Sequence, residues 1–400
     1  VHTVAEALAL LLADVAPLAP DEVALWDAHG RVLAHDLVAE RDLPGFDDSA
    51  MDGLAVRSGD TPGELRVIGE VRAGRATARA PLGTGEAVRI MTGAPLPPGA
   101  DAVVIREEVV EHERDGVVRA QVPATAAGAN VRRRGDDVAR GTCPLPAGTW
   151  LGPGELGMLA ALGAARVAVC RRPTVAILAT GDELIDVGAV PAPGERVDSS
   201  AHTLVAACRE AGADATYLGV ARDDLAEVTA RVRAALACDV LLTTGGVSVG
   251  EADHVRPALA AAGAELRLWK VAMRPGKPLA FARAGATRCV GLPGNPVSTL
   301  VAFELFVRPL LRALGGHPAP GRPRAPVTLT EPYAKRAGRA HYVRARLRRD
   351  GDHLHATPLP HQGSGALSSM IGVDALVEIP AELTHLPRGG RADAVLLRPC

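Results

Sequence analysis

The chain predicts a multidomain protein of α/β plus β architecture, and three observations carry that expectation. Its 400 residues exceed what one compact core usually organises. Residues 171–317 alternate apolar strand-like runs with helical periods, the pattern of a three-layer, doubly wound and mostly parallel sheet. The stretches 41–137 and 326–400 instead carry short β-like runs between glycines, without a 3.6-residue period.

The elements follow in order. Val4, Ala7, Leu8, Leu11 and Leu12 predict a helix over 3–15, ended by Pro17 and Pro20, with a second helical stretch near 28–36. Runs at 65–71, 87–91, 101–110 and 117–122 predict strands in a β-rich domain spanning 41–137. Helical character returns at 153–163, with Pro153 suited to a first turn. Residues 1–40 and 138–170 are therefore expected to pack together as one split helical domain. In the α/β domain, 171–317, strands are expected at 174–179, 215–220, 240–244, 265–272, 279–282 and 289–292. Helices are expected at 200–211, 224–237, 252–262 and 297–314. The Pro/Gly-rich segment 316–326 reads as a linker, and 326–400 as a small C-terminal β-barrel or sandwich domain.

Composition excludes several classes. A net charge of −2 lacks the footprint of a general nucleic-acid binder. No apolar run approaches the roughly 18 residues of a membrane span. The start has neither a basic segment nor a small-residue cleavage site. Cys143, Cys170, Cys208, Cys238, Cys289 and Cys400 are scattered without a CxxC pair, which argues against zinc or a disulfide framework and for a cytoplasmic protein. With four Phe, three Tyr and three Trp, the cores must be built from Ala, Val and Leu. Only three of the 44 basic residues are lysines, and two of them, Lys270 and Lys277, lie close together. Such a pair suggests positions that want a compact point charge.

Ligands of open parallel sheets bind at the carboxyl ends of the strands. Three strand-to-loop junctions there carry unusual residues: ATGDEL (179–184), TTGGVSVGEAD (243–253) and GLPGNPVS (291–298). In the second, Gly245 and Gly246 allow backbone N–H groups to turn inward, Ser248 adds a donor, and a helix start follows; an anion cradle and a plain tight turn both remain open. It is neither a P-loop nor a GxGxxG fingerprint. In the third, Gly294 and Asn295 permit a tight backbone and Pro296 suits a first helical turn. Asp182, Glu183, Asp223, Asp224, Glu251 and Asp253 gather carboxylates that a magnesium ion would reconcile with phosphate oxygens. Asp223 and Asp224 alternatively cap the following helix. Lys270, Arg274 and Lys277 would converge on a phosphate or oxyanion, or else form an exposed basic turn. The stretch 42–53 holds Asp42, Asp47, Asp48, Asp52 and Phe46, and the tri-arginine run 132–134 suits an acidic ligand and a solvated face equally.

Together these strings resemble the MoeA-type molybdopterin molybdenumtransferases, whose eukaryotic relative is the gephyrin E domain. The matching pieces, in the family's order, are LPGFDDSAMDG (43–53), RIMTGA (89–94), NVRRRGDD (130–137), ATGDEL (179–184), TTGGVSVGEADH (243–254), RPGKP (274–278) and GLPGNPVS (291–298), with GSGALSSM (363–370) in the tail. The resemblance implies a four-domain subunit working as a homodimer, its cleft shared between copies. It implies molybdenum cofactor biosynthesis: molybdate is inserted into adenylylated molybdopterin, releasing AMP, assisted by Mg2+ or another divalent cation. By the same resemblance Glu183, Asp223 and Asp253 hold the metal. Lys270, Arg274 and Lys277 bind molybdate or stabilise departing AMP. Thr180, Gly181, Asp182, Gly245, Gly246, Ser248, Gly250, Pro293, Gly294, Asn295, Pro296, Ser298, Arg339, Ser364 and Ser368 bind substrate. Asp52, Thr92 and Asp137 complete the cleft from the partner copy, with Asp52 as a catalytic carboxylate. Molybdopterin adenylyltransferase and molybdoenzyme maturation proteins are implied partners; nucleic acid and membrane are not. The alternatives are the adenylyltransferase itself, which resembles only the α/β domain, and a gephyrin-like scaffold. This chain departs from the usual pattern at Asp48, Leu54, Ser200, Arg274 and 372–374.

Overall fold

In the computed structural model, which describes residues 1–74, 80–246 and 254–398, the apolar run after Pro173 forms the strand Thr174–Thr180 inside a six-stranded sheet. The strand order is Asp214–Ala221, Thr174–Thr180, Val240–Thr244, Thr287–Leu292, Ala280–Ala284, Glu265–Leu268. The first four are parallel and the last two antiparallel to their neighbours. Successive side chains alternate between the faces: Val175 and Ile177 pack with Leu204, Phe303 and Leu310, whereas Ala176 and Leu178 pack with Val228, Val232 and Leu259. Helices cover both faces, so the central strands are apolar throughout rather than alternating. The expected helix 297–314 is present as Pro296–Ala302 and Arg308–Leu314, joined by a wider turn at Phe303–Val307.

Three expectations change. The N-terminal helix, Val4–Leu12, inserts Ala7 and Leu11 into the α/β core and does not build a core with the helix Pro153–Ala161. Leu159 of the latter packs instead with Ala28, Leu33, Leu145 and Leu151. The split unit is held by antiparallel pairing of Pro20–Ala24 with Arg166–Cys170. The stretch 28–36 is not helical, because Gly30 at φ 73° follows a short 3₁₀ turn, Leu25–Asp27, and the backbone then bridges Val32 to Trp150 and Leu33 to Val169. Finally, the strand expected over 265–272 ends at Leu268.

That early ending positions the site. Met273–Arg274 leaves the sheet and pairs in parallel with the barrel strand Ala340–Asp350. The C-terminal domain is a closed ring of five strands, because Ala340–Asp350 pairs with both His353–Pro358 and Ala375–Ile379. The β-rich second domain is built on its own six-stranded sheet, with Gly53–Val56 between Ala102–Ile105 and Glu86–Ile90. Among the described residues no helix is long and apolar enough to cross a membrane.

Candidate active site

The carboxyl ends of the parallel strands open into a cavity of about 620 Å³ at the seam between sheet and barrel. Thr180 and Glu183 line it from the first junction, and Gly245 and Gly246 from the second. Pro293, Gly294, Asn295, Pro296 and Ser298 line it from the third, Arg274 and Lys277 from the strap into the barrel, and Arg339 and Ser364 from the barrel. Thirteen residues expected from distant parts of the chain thus share one crevice.

Local chemistry explains how each wall is held. Gly245 has φ 81°, and a Cβ there would lie 2.6 Å from the Thr180 carbonyl oxygen, so only glycine lets the second junction press against the end of the first strand. Thr299 Oγ1 donates to the Pro293 carbonyl at 2.6 Å and pins the third junction. Asn295 Nδ2 donates to Ser364 Oγ at 3.3 Å, and the Val297 N–H donates to the Ser364 carbonyl at 3.2 Å, fastening the barrel loop to the start of the helix Pro296–Ala302. Behind that loop lies Arg344, wholly buried. Its Nη2 donates to the His361 and Gly363 carbonyls at 2.8 and 3.2 Å, its N–H donates to Gln362 Oε1, and Gln362 Nε2 returns a bond to the Arg344 carbonyl. Burial pulls the Arg344 pKa down, and its Nε and Nη1 have no hydrogen-bond partner among the described residues.

Charge in the cavity is unbalanced. Arg196, Arg274, Lys277 and Arg339 all line it, and among the described residues none forms an ion pair. Two carboxylates face them, Glu183 and Asp198. Asp198 is already committed, accepting from Ser200 and Ala201 N–H groups at 3.0 and 3.1 Å and from the Tyr217 hydroxyl at 2.9 Å. Four cations lining one recess, though each is exposed, favour an anion, and most strongly one whose charge grows during reaction.

Other expected residues stand elsewhere. Lys270 does not line the cavity; it follows the outermost strand, and its carbonyl accepts from the His2 N–H at 3.3 Å. Gly181, Asp182 and Asp223 are absent from the lining because they join two strand ends: Asp182 Oδ1 accepts from the Asp223 N–H at 3.1 Å. Asp224 is a helix cap, accepting from the Glu227 N–H at 2.8 Å. Ser368 sits in the 3₁₀ turn Leu367–Met370, away from the lining. Ser248, Gly250, Glu251 and Asp253 lie outside the described residues. Among the described residues no three His, Cys, Asp or Glu side chains group closely enough to hold a metal ion; of the expected set Glu183 lines the cavity, Asp223 does not, and Asp253 lies outside the described residues.

The second-domain residues form their own constellation. Asp52 Oδ1 accepts from the Thr92 N–H at 2.7 Å and from the Thr92 hydroxyl at 2.8 Å, which holds the Asp52 carboxyl below the usual carboxylate range. The residue after it must be glycine, since a Cβ on Gly53 would lie 1.9 Å from the Val104 carbonyl oxygen. Asp137 is exposed nearby in sequence to the arginine run, and neither it nor the Asp52–Thr92 pair lines the cavity of this copy. The arginine run itself is internally neutralised: Arg132 pairs with Asp48, Arg133 with Asp47 and Arg134 with Asp42.

Arg196, Asp198, Gln362 and Arg344 were not singled out in the sequence. The Asp-Ser-Ser start of the helix Ser199–Glu210, following a sheet-edge loop, is the signal that would have marked Asp198; a lone arginine in a barrel strand carries none.

The family models agree with this architecture. "MoeA N-terminal region (domain I and II)" matches residues 2–163, "Probable molybdopterin binding domain" residues 176–313, and "MoeA C-terminal region (domain IV)" residues 326–397. A molybdopterin molybdenumtransferase of Bacillus subtilis is 37% identical over 94% of this chain and 89% of its own length. Molybdopterin molybdenumtransferase 2 of Mycobacterium tuberculosis is 39% identical over 92% of this chain and 93% of its own. The crystal structure of a molybdopterin biosynthesis MoeA protein from Pyrococcus horikosii covers 100% of both chains, with a TM-score of 0.84 and 32% identity. Motif order, domain order and whole-length similarity coincide, and the chain belongs to the MoeA family of molybdopterin molybdenumtransferases.

Proposed function

We propose that this chain is a molybdopterin molybdotransferase that inserts molybdate into adenylylated molybdopterin, releasing AMP and leaving molybdenum cofactor. The observation that carries this reading is the set of cations, Arg196, Arg274, Lys277 and Arg339, that share one cavity with Glu183 and form no ion pair among the described residues. Arg274, Lys277 and Arg339 would seat the molybdate dianion, the guanidinium forks matching its oxygens and the lysine supplying a point charge. Ser298, Ser364 and the glycine turn at 245–246 would orient the pterin and its phosphates. Thr180 and the turn 293–296 shape the floor on which the nucleotide rests. Lysine and arginine also oppose the charge that builds on the AMP phosphate as it leaves.

A divalent cation such as Mg2+ binds through one or two carboxylates plus phosphate oxygens. Glu183 is the described side chain placed to hold it, and when bound it would neutralise phosphate charge. The protein is proposed to work in the cytoplasm as a homodimer, in which the partner copy brings the Asp52–Thr92 pair and Asp137 to the mouth of this cavity. Molybdopterin adenylyltransferase and maturation proteins for molybdoenzymes are its proposed partners. The adenylyltransferase reading is less favoured, since the cavity draws Arg339 and Ser364 from the barrel that such enzymes lack.

Single-turnover AMP release from adenylylated molybdopterin with Mg2+ tests this. Release that depends on molybdate supports the assignment. Stable formation of adenylylated pterin from ATP and molybdopterin by this protein alone overturns it.

A further inference from the structure

We infer that Arg196 binds a phosphoryl group of the substrate, at the end of the cavity away from Arg274 and Lys277, so that the cavity holds two anions at once. This deepens the functional reading above and rests on it. Arg196 begins the short strand Arg196–Val197, which pairs with Leu184–Ile185 just beyond the end of the strand Thr174–Thr180. Arg274 and Lys277 belong to the turn that enters Ala280–Ala284, three places along the sheet. With neighbouring strands about 4.8 Å apart, the strands that lead to the two positions are roughly 14 Å apart in the sheet. An oxyanion seated on Arg274 and Lys277 leaves Arg196 without an ion-pair partner among the described residues.

The position of Arg196 is set from behind. Its N–H donates to the Glu183 carbonyl at 2.7 Å, and the Asp198 N–H donates to the Ile185 carbonyl at 2.9 Å. Asp198 in turn caps the helix Ser199–Glu210 and accepts from Tyr217, so the backbone at 196–198 is tied to two separate elements. The guanidinium is nevertheless uncommitted: among the described residues it forms no ion pair, even with Glu183 on the same wall. Other arginines of the domain are matched by carboxylates, as in Arg171 with Asp239 and Arg308 with Glu210, or donate to backbone carbonyls, as Arg222, Arg233 and Arg283 do. A planar fork on a tied backbone at a cavity wall, without an ion-pair partner among the described residues, is suited to bidentate contact with phosphate oxygens.

Calorimetric titration of the full chain with AMP, glycerol 3-phosphate and molybdate tests this, comparing wild type, Arg196→Ala and Arg196→Lys. Arg196→Ala is expected to weaken a phosphoester roughly 10–100-fold, as for loss of a hydrogen bond to a charged group, and to leave molybdate within about twofold. Arg196→Lys is expected to recover part of the loss. Weakening of AMP alone assigns the contact to the nucleotide, of glycerol 3-phosphate alone to the pterin side chain's phosphate, and of both to any phosphoryl group. Unchanged phosphoester affinity, or an equal loss for molybdate, overturns the role of Arg196 while leaving the functional reading standing. A wild-type protein that binds neither phosphoester overturns the functional reading and this assignment together.

Discussion

Two groups of arginines in this chain look alike in composition and differ in consequence. Arg132, Arg133 and Arg134 form the densest basic run, yet each faces an aspartate from the loop 42–48. Arg196, Arg274 and Arg339 come from separate segments, and with Lys277 they meet at one cavity without ion-pair partners among the described residues. The first group spends its charge on fixing a loop; the second keeps its charge for a ligand. Density of charge along a sequence is therefore a weaker guide to a binding site than charge left unmatched after folding.

The comparison can be broken most readily at the cavity. Replacing Lys277 with alanine should slow single-turnover AMP release by roughly 10²–10³, as for removal of one preorganised donor, while the thermal midpoint stays near wild type. Equal rates would place the reacting charge elsewhere. At the arginine run the pattern should invert. Asp48→Ala removes the buried partner of a two-pronged bond from Arg132, at 2.8 and 2.9 Å, and should cost roughly 1–3 kcal/mol in denaturant unfolding with molybdate affinity unchanged.

A titration sharpens the contrast. His341 is buried behind the cavity, and burial, Lys335, Arg274 and Arg339 push its pKa down to about 4. Below the ordinary value of 6.5 the unfolded chain takes up a proton that the folded ring refuses until about pH 4. Stability present at neutral pH is therefore lost across that window as pH falls, and His341→Asn should make the fall shallower. An anion on Arg274 and Arg339 offsets part of the push, so saturating molybdate should raise the His341 pKa in an NMR titration; an anion on the arginine run would leave it unmoved. The smallest effect is expected at the exposed pair of Arg133 with Asp47, where Asp47→Ala should cost about 1 kcal/mol or less in the same denaturant assay.

Much of the α/β domain was legible because its strands are buried on both sides and read as unbroken apolar runs ending in glycine turns. Thr180, Gly245 and Gly294 could be assigned to one edge from that pattern alone, given the rule for parallel sheets. What stayed hidden depends on contacts between distant segments. The docking of Ala7 and Leu11 on the α/β core is a choice among apolar faces that periodicity cannot rank. The stretch 28–36 has helix-compatible spacing, but Gly30 and pairing with residues 149–151 and 168–170 decide its backbone. Lys270 shares a run with Lys277, but the strand before them ends at Leu268 and Met273–Arg274 pairs with the barrel, which sends the two lysines to different surroundings. The pairing of 132–134 with 42–48 joins segments some ninety residues apart in number, and nothing local announces it.

Anomalous diffraction from crystals grown with molybdate and AMP addresses the central claim most directly. The account predicts a molybdenum peak bounded by Arg274, Lys277 and Arg339, with the nucleotide phosphate toward Arg196. A molybdenum peak on Arg132, Arg133 or Arg134, with density lacking at the seam between sheet and barrel, would contradict it.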